Sequence, residues 1–278
     1  MAGFTEHDFI YDGRHIEPDS LPALPAILHE AHELVQKGNA SPQQIGAIIA
    51  KDQALSAKIL KIINSPVYGF SGRISSITNA LTLLGFNVIR NIIITAVAEP
   101  LSHKVKKLWV HSYACSLACG VIAKELRLQN AAEFIAGGLL HDFGKAVIVT
   151  NFPDAHEKID ALVREKDMTF IKAEKEILGF THTQVNDWVA TQWKLPISLK
   201  NAMVYHHQPN HDSTEGQMTD VVHLGDFFTR LFEQGSGGDE NVSALDFQVL
   251  QRLNITVELL GNILDALGEM FNSEASRL

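Results

Sequence analysis

The chain has 278 residues, a net charge of −9 and 46% hydrophobic residues, enough for one large domain or two moderate ones. The acidic balance disfavours direct nucleic-acid binding, because the densest basic stretch, residues 103–107, is typical of a solvated helix end. The longest apolar stretch, residues 92–98, is far shorter than the ~20 residues that span a bilayer. The acidic N-terminus lacks signal-peptide features and there are two cysteines, so we expect a cytoplasmic protein without disulfides or membrane association.

Helix signals dominate the first hundred residues. Ser41 is a predicted N-cap, with Pro42 in the first turn and Gln44 completing a capping box. The apolar residues over 45–63 then recur mainly at three- and four-residue steps, which predicts a helical run that ends at 64–66.

The next segment continues this pattern. A helix that begins at Ser76 is predicted to stop at Gly85, and an apolar helix over 88–98 is predicted to close before Pro100. Strand signals are nearly absent, so the first half of the chain is predicted to be helical throughout.

The second half repeats the helical pattern with more histidines. Thr181 and Gln184 form a second capping box, which places His182 in the first turn of a helix. Further helices are predicted at 106–126, 133–142, 198–207 and 220–232, and a glycine-rich linker at 235–241 precedes one or two amphipathic C-terminal helices. The predicted fold class is all-α.

The most informative feature is the dipeptide His141-Asp142, which follows an apolar helical run. A histidine and a carboxylate are costly to bury without a partner, and the usual partner of this pair is a divalent metal. Nine of the thirteen histidines fall between positions 103 and 223, where such a site would be built.

Seven side chains are candidate metal ligands. The first ion is assigned to His111, His141, Asp142 and Asp226, and the second to His182, His206 and His207, with Asp142 able to bridge. A two-metal site can activate water and hold the phosphoryl oxygens of an ester. Asp142 and Lys145 are the catalytic candidates, because Lys145 could neutralise a phosphate at the mouth of the site.

Each candidate also has an ordinary structural explanation. His182 could sit in solvent, His206 and His207 could face a loop, and His111 could be a core histidine bonded to a backbone carbonyl. Asp226 is harder to explain, because a buried carboxylate needs a cation or several donors. Cys115 and Cys119 are expected to be small core residues.

The order of these residues resembles a known superfamily. His111, then residues 138–145 around His141-Asp142, then His182, His206-His207 and Asp226 resemble the HD-domain phosphohydrolases in order and spacing. The first half resembles the HDOD family within that superfamily. The residues that carry this second resemblance are 21–25, 55–60, Asn64-Ser65, Tyr68-Gly69, Ile77 with Ala80, Leu84-Gly85 and Leu195-Pro196.

The resemblance implies a multi-helix HD-like bundle with an N-terminal helical subdomain. The corresponding division is an extension at 1–17, an N-terminal helical part at 18–100, an HD-like core at 101–232, a linker at 233–241 and C-terminal helices at 242–278. HDOD modules are bacterial signalling or output units, and many have lost the HD metal ligands. This chain retains them, which favours a bound divalent metal, one or two ions of Fe, Mn or Zn.

Three functions follow from the resemblance. The first is a signalling module with a metal site, whose apolar N-terminal helices either meet a protein partner or pack on the second half. The second is a metal-dependent phosphohydrolase acting on a phosphorylated small molecule or nucleotide. The third is a structural interaction protein without metal.

The chain also departs from the related HD-GYP phosphodiesterases at two places. The segment after His207 lacks their glycine-tyrosine-proline signature, and Lys107 replaces an acidic residue that could hold a third ion.

Overall fold

A computed structural model describes residues 4–21, 25–38, 40–64, 74–102, 106–211, 216–234 and 245–275. Within these ranges the protein is helical apart from one two-stranded hairpin, which confirms the all-α prediction. Several sequence signals lie outside the described residues, namely 22–24, Ser65, Tyr68, Gly69, the basic residues at 103–105, most of the segment at 212–216 and the linker at 235–241.

The chain divides into two compact units. One contains Pro22–Pro100, and the other contains Met1–Leu21 together with Leu101–Leu278. The five-part division drawn from the sequence stays a prediction. All seven candidate metal ligands belong to the second, larger unit.

The smaller unit contains the helices α1 (Ala26–Gln36), α2 (Pro42–Ile49), α3 (Gln53–Ile63) and α4 (Ile77–Ser102). The predicted capping box is confirmed, since Ser41 Oγ accepts from the Gln44 backbone N–H at 3.2 Å. The single helical run predicted over 45–63 is wrong, because the chain breaks between α2 and α3. Asp52 begins α3 by accepting the Leu55 backbone N–H at 2.9 Å, so a local cap interrupts the apolar periodicity.

The end of helix α4 differs from the predicted end before Pro100. Gly85 interrupts the helix with a φ of 78°, as the predicted stop requires, but the helix runs through Pro100 to Ser102 rather than closing before the proline. A proline leaves the carbonyl four residues earlier without its usual N–H donor. The Lys58 side chain donates to that carbonyl, on Ala96, which explains why the helix continues.

The apolar part of α4, Ile77–Ala98, is long and apolar enough to cross a membrane by length and composition alone. Among the described residues it is the one helix that meets this test, and 56% of its most apolar window is buried inside the protein. Gly85 also breaks it into two shorter pieces. We therefore describe it as a core helix.

The larger unit carries most of the helices. Their bounds are α5 (Lys106–Glu125), α6 (Ala131–Leu140), α7 (Phe143–Asn151), α8 (Pro153–Lys166), α9 (Phe170–Leu178), α10 (His182–Gln192), α11 (Ile197–Tyr205), α12 (Gly216–Leu231), α13 (Phe247–Arg252) and α14 (Val257–Ala275). Short 3-10 helices occupy Glu6–Asp8, Pro18–Ser20 and Pro209–His211. An antiparallel hairpin, β1 (Ile10–Tyr11) with β2 (Arg14–His15), completes the unit.

The N-terminal hairpin packs on the larger unit rather than projecting from it. Phe9 is fully buried, with its ring centroid 5.1 Å from that of Phe180 and 6.1 Å from that of Trp188. Arg14 forms an exposed ion pair with Asp154 at 2.7 Å.

Close approach of α5, α6 and α12 creates the site. A methyl group on Gly138 of α6 would lie 2.8 Å from the Cys115 carbonyl oxygen and from Cys119 Sγ on α5. A methyl group on Gly225 of α12 would lie 2.5 Å from the same Sγ. The two glycines therefore let both helices press against buried cysteines of α5, which brings the helices that carry the candidate ligands together.

Candidate metal centre

The seven predicted ligands meet in two adjacent groups. His111, His141 and Asp226 form the first group, and Asp142, His182, His206 and His207 form the second, with ligand atoms within 4.8 Å of one another in each. Six of the seven side chains are buried, and His207 is partly exposed. The side chains come from α5, the turn between α6 and α7, the start of α10, the end of α11 and α12.

Asp142 belongs to the second group but also faces the first. Its Oδ1 is 3.3 Å from His182 Nε2 and 3.6 Å from His206 Nε2. Its Oδ2 faces the first group, at 3.3 Å from His141 Nε2 and 3.6 Å from His111 Nε2. One carboxylate that offers a separate oxygen to each group has the arrangement of a bridging ligand between two ions.

Several ligand atoms have no hydrogen-bond partner although they are buried. Among the described residues they are Nδ1 of His111, Nε2 of His141, Nε2 of His206 and Oδ1 of Asp142. His111 Nε2 has a close contact with Asp226 Oδ1, at 2.9 Å. Buried polar atoms are almost always paired, and an unpaired one is costly. Because the Nε2 atoms of these rings lie around the Asp142 carboxylate and are metal-ligand types, the residues present fit one or two divalent ions.

Backbone carbonyls fix two of the histidine rings. His141 Nδ1 donates to the Gly138 carbonyl at 2.7 Å, and His206 Nδ1 donates to the Met203 carbonyl at 3.1 Å. A carbonyl only accepts, so the proton of each neutral ring sits on Nδ1 and the lone pair on Nε2. Both lone pairs therefore point towards Asp142, as metal ligation requires.

The turn that carries His141 and Asp142 is held by Asn186. The Asn186 side chain accepts the Gly144 N–H at 2.7 Å and donates to the carbonyls of His141 and Met203 at 2.5 and 2.8 Å. Gly144 allows the turn to approach α10, since a methyl group there would collide with the His182 carbonyl oxygen. The same contact region thus sets the positions of His141, Asp142 and His182 together.

Two buried cations accompany the carboxylates. Lys145 Nζ lies 2.8 Å from Asp142 Oδ2, and Arg230 Nε donates to Asp226 Oδ1 at 2.9 Å. Lys145 is 3% exposed, so it lies inside the cluster and not at an open mouth, where the sequence placed it. Both cations stabilise ionised carboxylates in surroundings that otherwise disfavour charge.

The pKa values follow from burial and from these charges. Burial lowers the pKa of His206 to about 4, and it also lowers that of His111. Burial opposes ionisation of Asp142 and Asp226, but His141 with Lys145 and Arg230 with His111 hold the pKa of each carboxyl well below its usual range. Most of the ligands are therefore deprotonated near neutral pH, the form that binds metal.

His141 differs from the other ligands. Burial lowers its pKa, but the Asp142 carboxylate more than offsets this and raises the pKa well above the usual range. The raised pKa favours the protonated form of this ring beside Asp142, so metal binding at His141 would require the loss of that proton.

The structure decides between the alternatives left open by the sequence. His182 is fully buried and not in solvent, and His206 is buried and does not face a loop. Among the described residues His111 Nδ1 has no hydrogen-bond partner and Nε2 lies 2.9 Å from Asp226 Oδ1, so this residue is not a core histidine satisfied by a carbonyl. Cys115 and Cys119 are free, buried core residues, as expected.

Sequence reasoning missed four supporting residues, which are Glu174, Asn186, His223 and Arg230. Asn186 and Arg230 each lie four positions after a predicted ligand on the same helix, and that spacing was a usable signal. His223 Nδ1 donates to the His206 carbonyl at 2.7 Å, and its Nε2 accepts the Asp246 N–H at 3.3 Å. Its role depends on contacts between distant segments, which the sequence does not reveal.

Comparison with known proteins identifies the family of this chain. The profile of the HDOD domain matches residues 21–209, and the chain therefore belongs to the HDOD family. An uncharacterised protein of Treponema pallidum (strain Nichols) is 25% identical over 202 residues, which are 71% of this chain and 39% of that protein. The chain thus spans about two fifths of the length of this relative.

Solved structures share the fold. An HDOD protein of unknown function from Geobacter sulfurreducens has a TM-score of 0.68 at 23% identity, covering 92% of this chain and 90% of its own. A Shewanella amazonensis SB2B protein, named provisionally as a phosphohydrolase, has a TM-score of 0.67 at 23% identity, covering 91% of both chains. A Marinobacter aquaeolei VT8 protein, named provisionally as a signal transduction protein, has a TM-score of 0.69 at 21% identity, covering 92% of this chain and 58% of its own.

Proposed function

We propose that this protein is an HDOD signalling module that retains an HD-type centre for one or two divalent ions. The observation that carries the proposal is the convergence of buried, unpaired ligand atoms around the two oxygens of Asp142. Such atoms are destabilising when left empty and become ligands when an ion is present.

The donor set indicates the kind of ion. Five imidazoles and two carboxylates suit Fe, Mn or Zn better than Ca or Mg, which prefer oxygen ligands. His111, His141 and Asp226 would hold one ion. His182, His206 and His207 would hold the other, with the Asp142 carboxylate available to both. When bound, such ions act as Lewis acids and lower the pKa of a coordinated water.

The signalling role rests on family membership and on the provisional name of the Marinobacter relative. On this proposal a protein partner in the cytoplasm, and neither nucleic acid nor membrane, reads the state of the module. The apolar N-terminal helices are the proposed meeting surface for that partner.

A second candidate function is metal-dependent hydrolysis of a phosphorylated small molecule or nucleotide. The bridging position of Asp142 and the nearby Lys145 ammonium favour it, because a two-ion site beside a cation suits a phosphoryl group. The provisional name of the Shewanella relative agrees. The buried ligand shell, with His207 as its one partly exposed member, favours the signalling role instead.

Metal content tests both candidates. We expect elemental analysis of protein purified without a metal-affinity column to find one or two equivalents of Fe, Mn or Zn. Asp142→Ala should lose them, because both groups depend on its carboxylate. Asp187→Ala is the matched control, since Asp187 is paired with Lys200 at 2.9 Å outside the cluster.

The outcomes separate the three functions. Metal in the wild type and in Asp187→Ala, but not in Asp142→Ala, supports the centre, and a screen of phosphodiesters and phosphomonoesters then distinguishes hydrolase from signalling module. Wild-type protein that stays empty after incubation with these ions rejects both, and leaves an interaction protein without metal.

A further inference from the structure

One buried carboxylate beside the cluster is not among its ligands. Glu174 lies on α9 and is fully buried. Its Oε2 is 2.6 Å from His182 Nδ1 and also accepts the His182 backbone N–H at 2.9 Å. Its Oε1 has no hydrogen-bond partner among the described residues. Both contacts of this carboxylate therefore go to a single candidate ligand.

The contact with Glu174 fixes which nitrogen of the His182 ring carries the proton. With the Nδ1 proton donated to Glu174, the ring presents its Nε2 lone pair to the cluster. That nitrogen lies 3.3 Å from Asp142 Oδ1 and 3.2 Å from His207 Nε2. With its proton on Nδ1, His182 accepts a hydrogen bond from His207 Nε2 in the metal-free protein. The same lone pair also faces Asp142 Oδ1, and these two acceptors repel unless a cation lies between them.

The other histidines lack support of this kind. His141 and His206 each donate from Nδ1 to a neutral backbone carbonyl, and His111 Nδ1 has no partner within the part of the chain that the structure describes. A carboxylate behind an imidazole makes the ring a stronger ligand than a carbonyl does. The carboxylates of both groups share their charge with a buried cation, Asp226 with Arg230 and Asp142 with Lys145, so the carboxylate behind His182 is the difference between the groups. The two groups are therefore unequal.

We propose that Glu174 is a positioning residue that orients and polarises His182, so that the group of His182, His206 and His207 holds its ion more tightly than the first group. This inference rests on the proposed function, since it concerns a metal that the protein has to bind. It adds a supporting residue, Glu174, and the order in which the two groups would bind their ions.

The test compares Glu174→Gln with wild type by chelator competition, using Zn²⁺ and Mn²⁺ as probes. Glutamine keeps the size and an accepting oxygen but removes the charge. We expect the tighter of two ions to weaken by about 10- to 100-fold, with the weaker ion unchanged as an internal reference. Glu176→Gln, on the same helix but in an exposed pair with Lys166, should leave both affinities unchanged.

The thermal midpoint of the metal-free protein is the second readout, and it separates positioning from a purely structural role. A purely structural role lowers that midpoint but leaves the ratio of the two metal affinities unchanged. Such a result overturns the inference. Equal affinities in Glu174→Gln and wild type overturn it too. If Glu174→Gln does not fold, Glu174→Asp, which keeps the charge and lengthens the contact, has to weaken the same ion. A wild type that binds no ion rejects the proposed function itself.

Discussion

Each of the two buried carboxylates in the site is paired with a buried cation. Lys145 is paired with Asp142, and Arg230 with Asp226, in surroundings where every partner is at most 8% exposed. Because water cannot screen these charges, removing one partner leaves an uncompensated charge in the interior. The pairs therefore hold the site together in the metal-free protein and compete with an ion for the same carboxylate oxygens.

This balance gives a prediction for Arg230→Gln. We expect the free energy of unfolding of the metal-free variant to fall by about 3 kcal/mol, because Asp226 loses its cation. Addition of metal should then raise the thermal midpoint more than in wild type, since the ion replaces the lost charge. Denaturant unfolding with and without Zn²⁺ measures both effects.

Arg14→Gln is the control for that experiment. It removes an arginine from an exposed ion pair, so both readouts should stay close to wild type. An Arg230→Gln protein as stable as wild type, with an equal response to metal, would show that the charge of Arg230 does not matter to the site.

Helices in this protein are positioned by close contacts that tolerate no added atoms. Gly144→Ala places a methyl group against the His182 carbonyl and should separate α7 from α10. We expect a loss of about 1–3 kcal/mol in unfolding free energy and weaker metal binding. Gly261→Ala, in an open position of α14, should instead stabilise by about 0.5–1 kcal/mol. Equal effects of the two changes, measured by urea unfolding, would contradict this account.

Helix starts that depend on neighbouring residues were predicted correctly from the sequence. The helix end and the side-chain orientation that were not predicted depend on contacts between distant segments. The capping boxes at Ser41 and Thr181 depend on neighbours three residues away, so the sequence alone reveals them. The continuation of α4 through Pro100 depends on Lys58, and the orientation of His182 depends on Glu174. The ligand types and their order were visible, but their meeting point depends on glycine contacts between helices far apart in sequence.

The stability of the whole metal-free protein should depend on pH through its buried histidines. With a pKa of about 4 in the folded protein against 6.5 unfolded, His206 binds a proton first in the unfolded chain. Stability therefore falls as the pH drops from 6.5 to 4, by roughly 3 kcal/mol from this residue. His141 acts in the opposite direction, because its raised pKa stabilises the folded state below 6.5 and this contribution is lost as the pH rises.

We therefore expect a maximum of stability near pH 6.5 in the metal-free protein, with a decline on both sides. Metal should remove the alkaline decline, since the ion displaces the His141 proton. Thermal unfolding from pH 4.5 to 8.5, with and without Zn²⁺, tests this. A curve without a maximum in the metal-free protein would show that these histidines do not control stability.

Burial of the ligand shell has a consequence for kinetics. Six ligands are covered by packed helices, and the partly exposed His207 is the open side of the shell. On the proposed function, an ion at this centre would exchange with solvent through that side, so loading and release would be slow and limited by local opening. Metal loading and chelator competition would then need long incubations to reach equilibrium, and the metal found directly after purification would reflect the ions supplied while the chain folded.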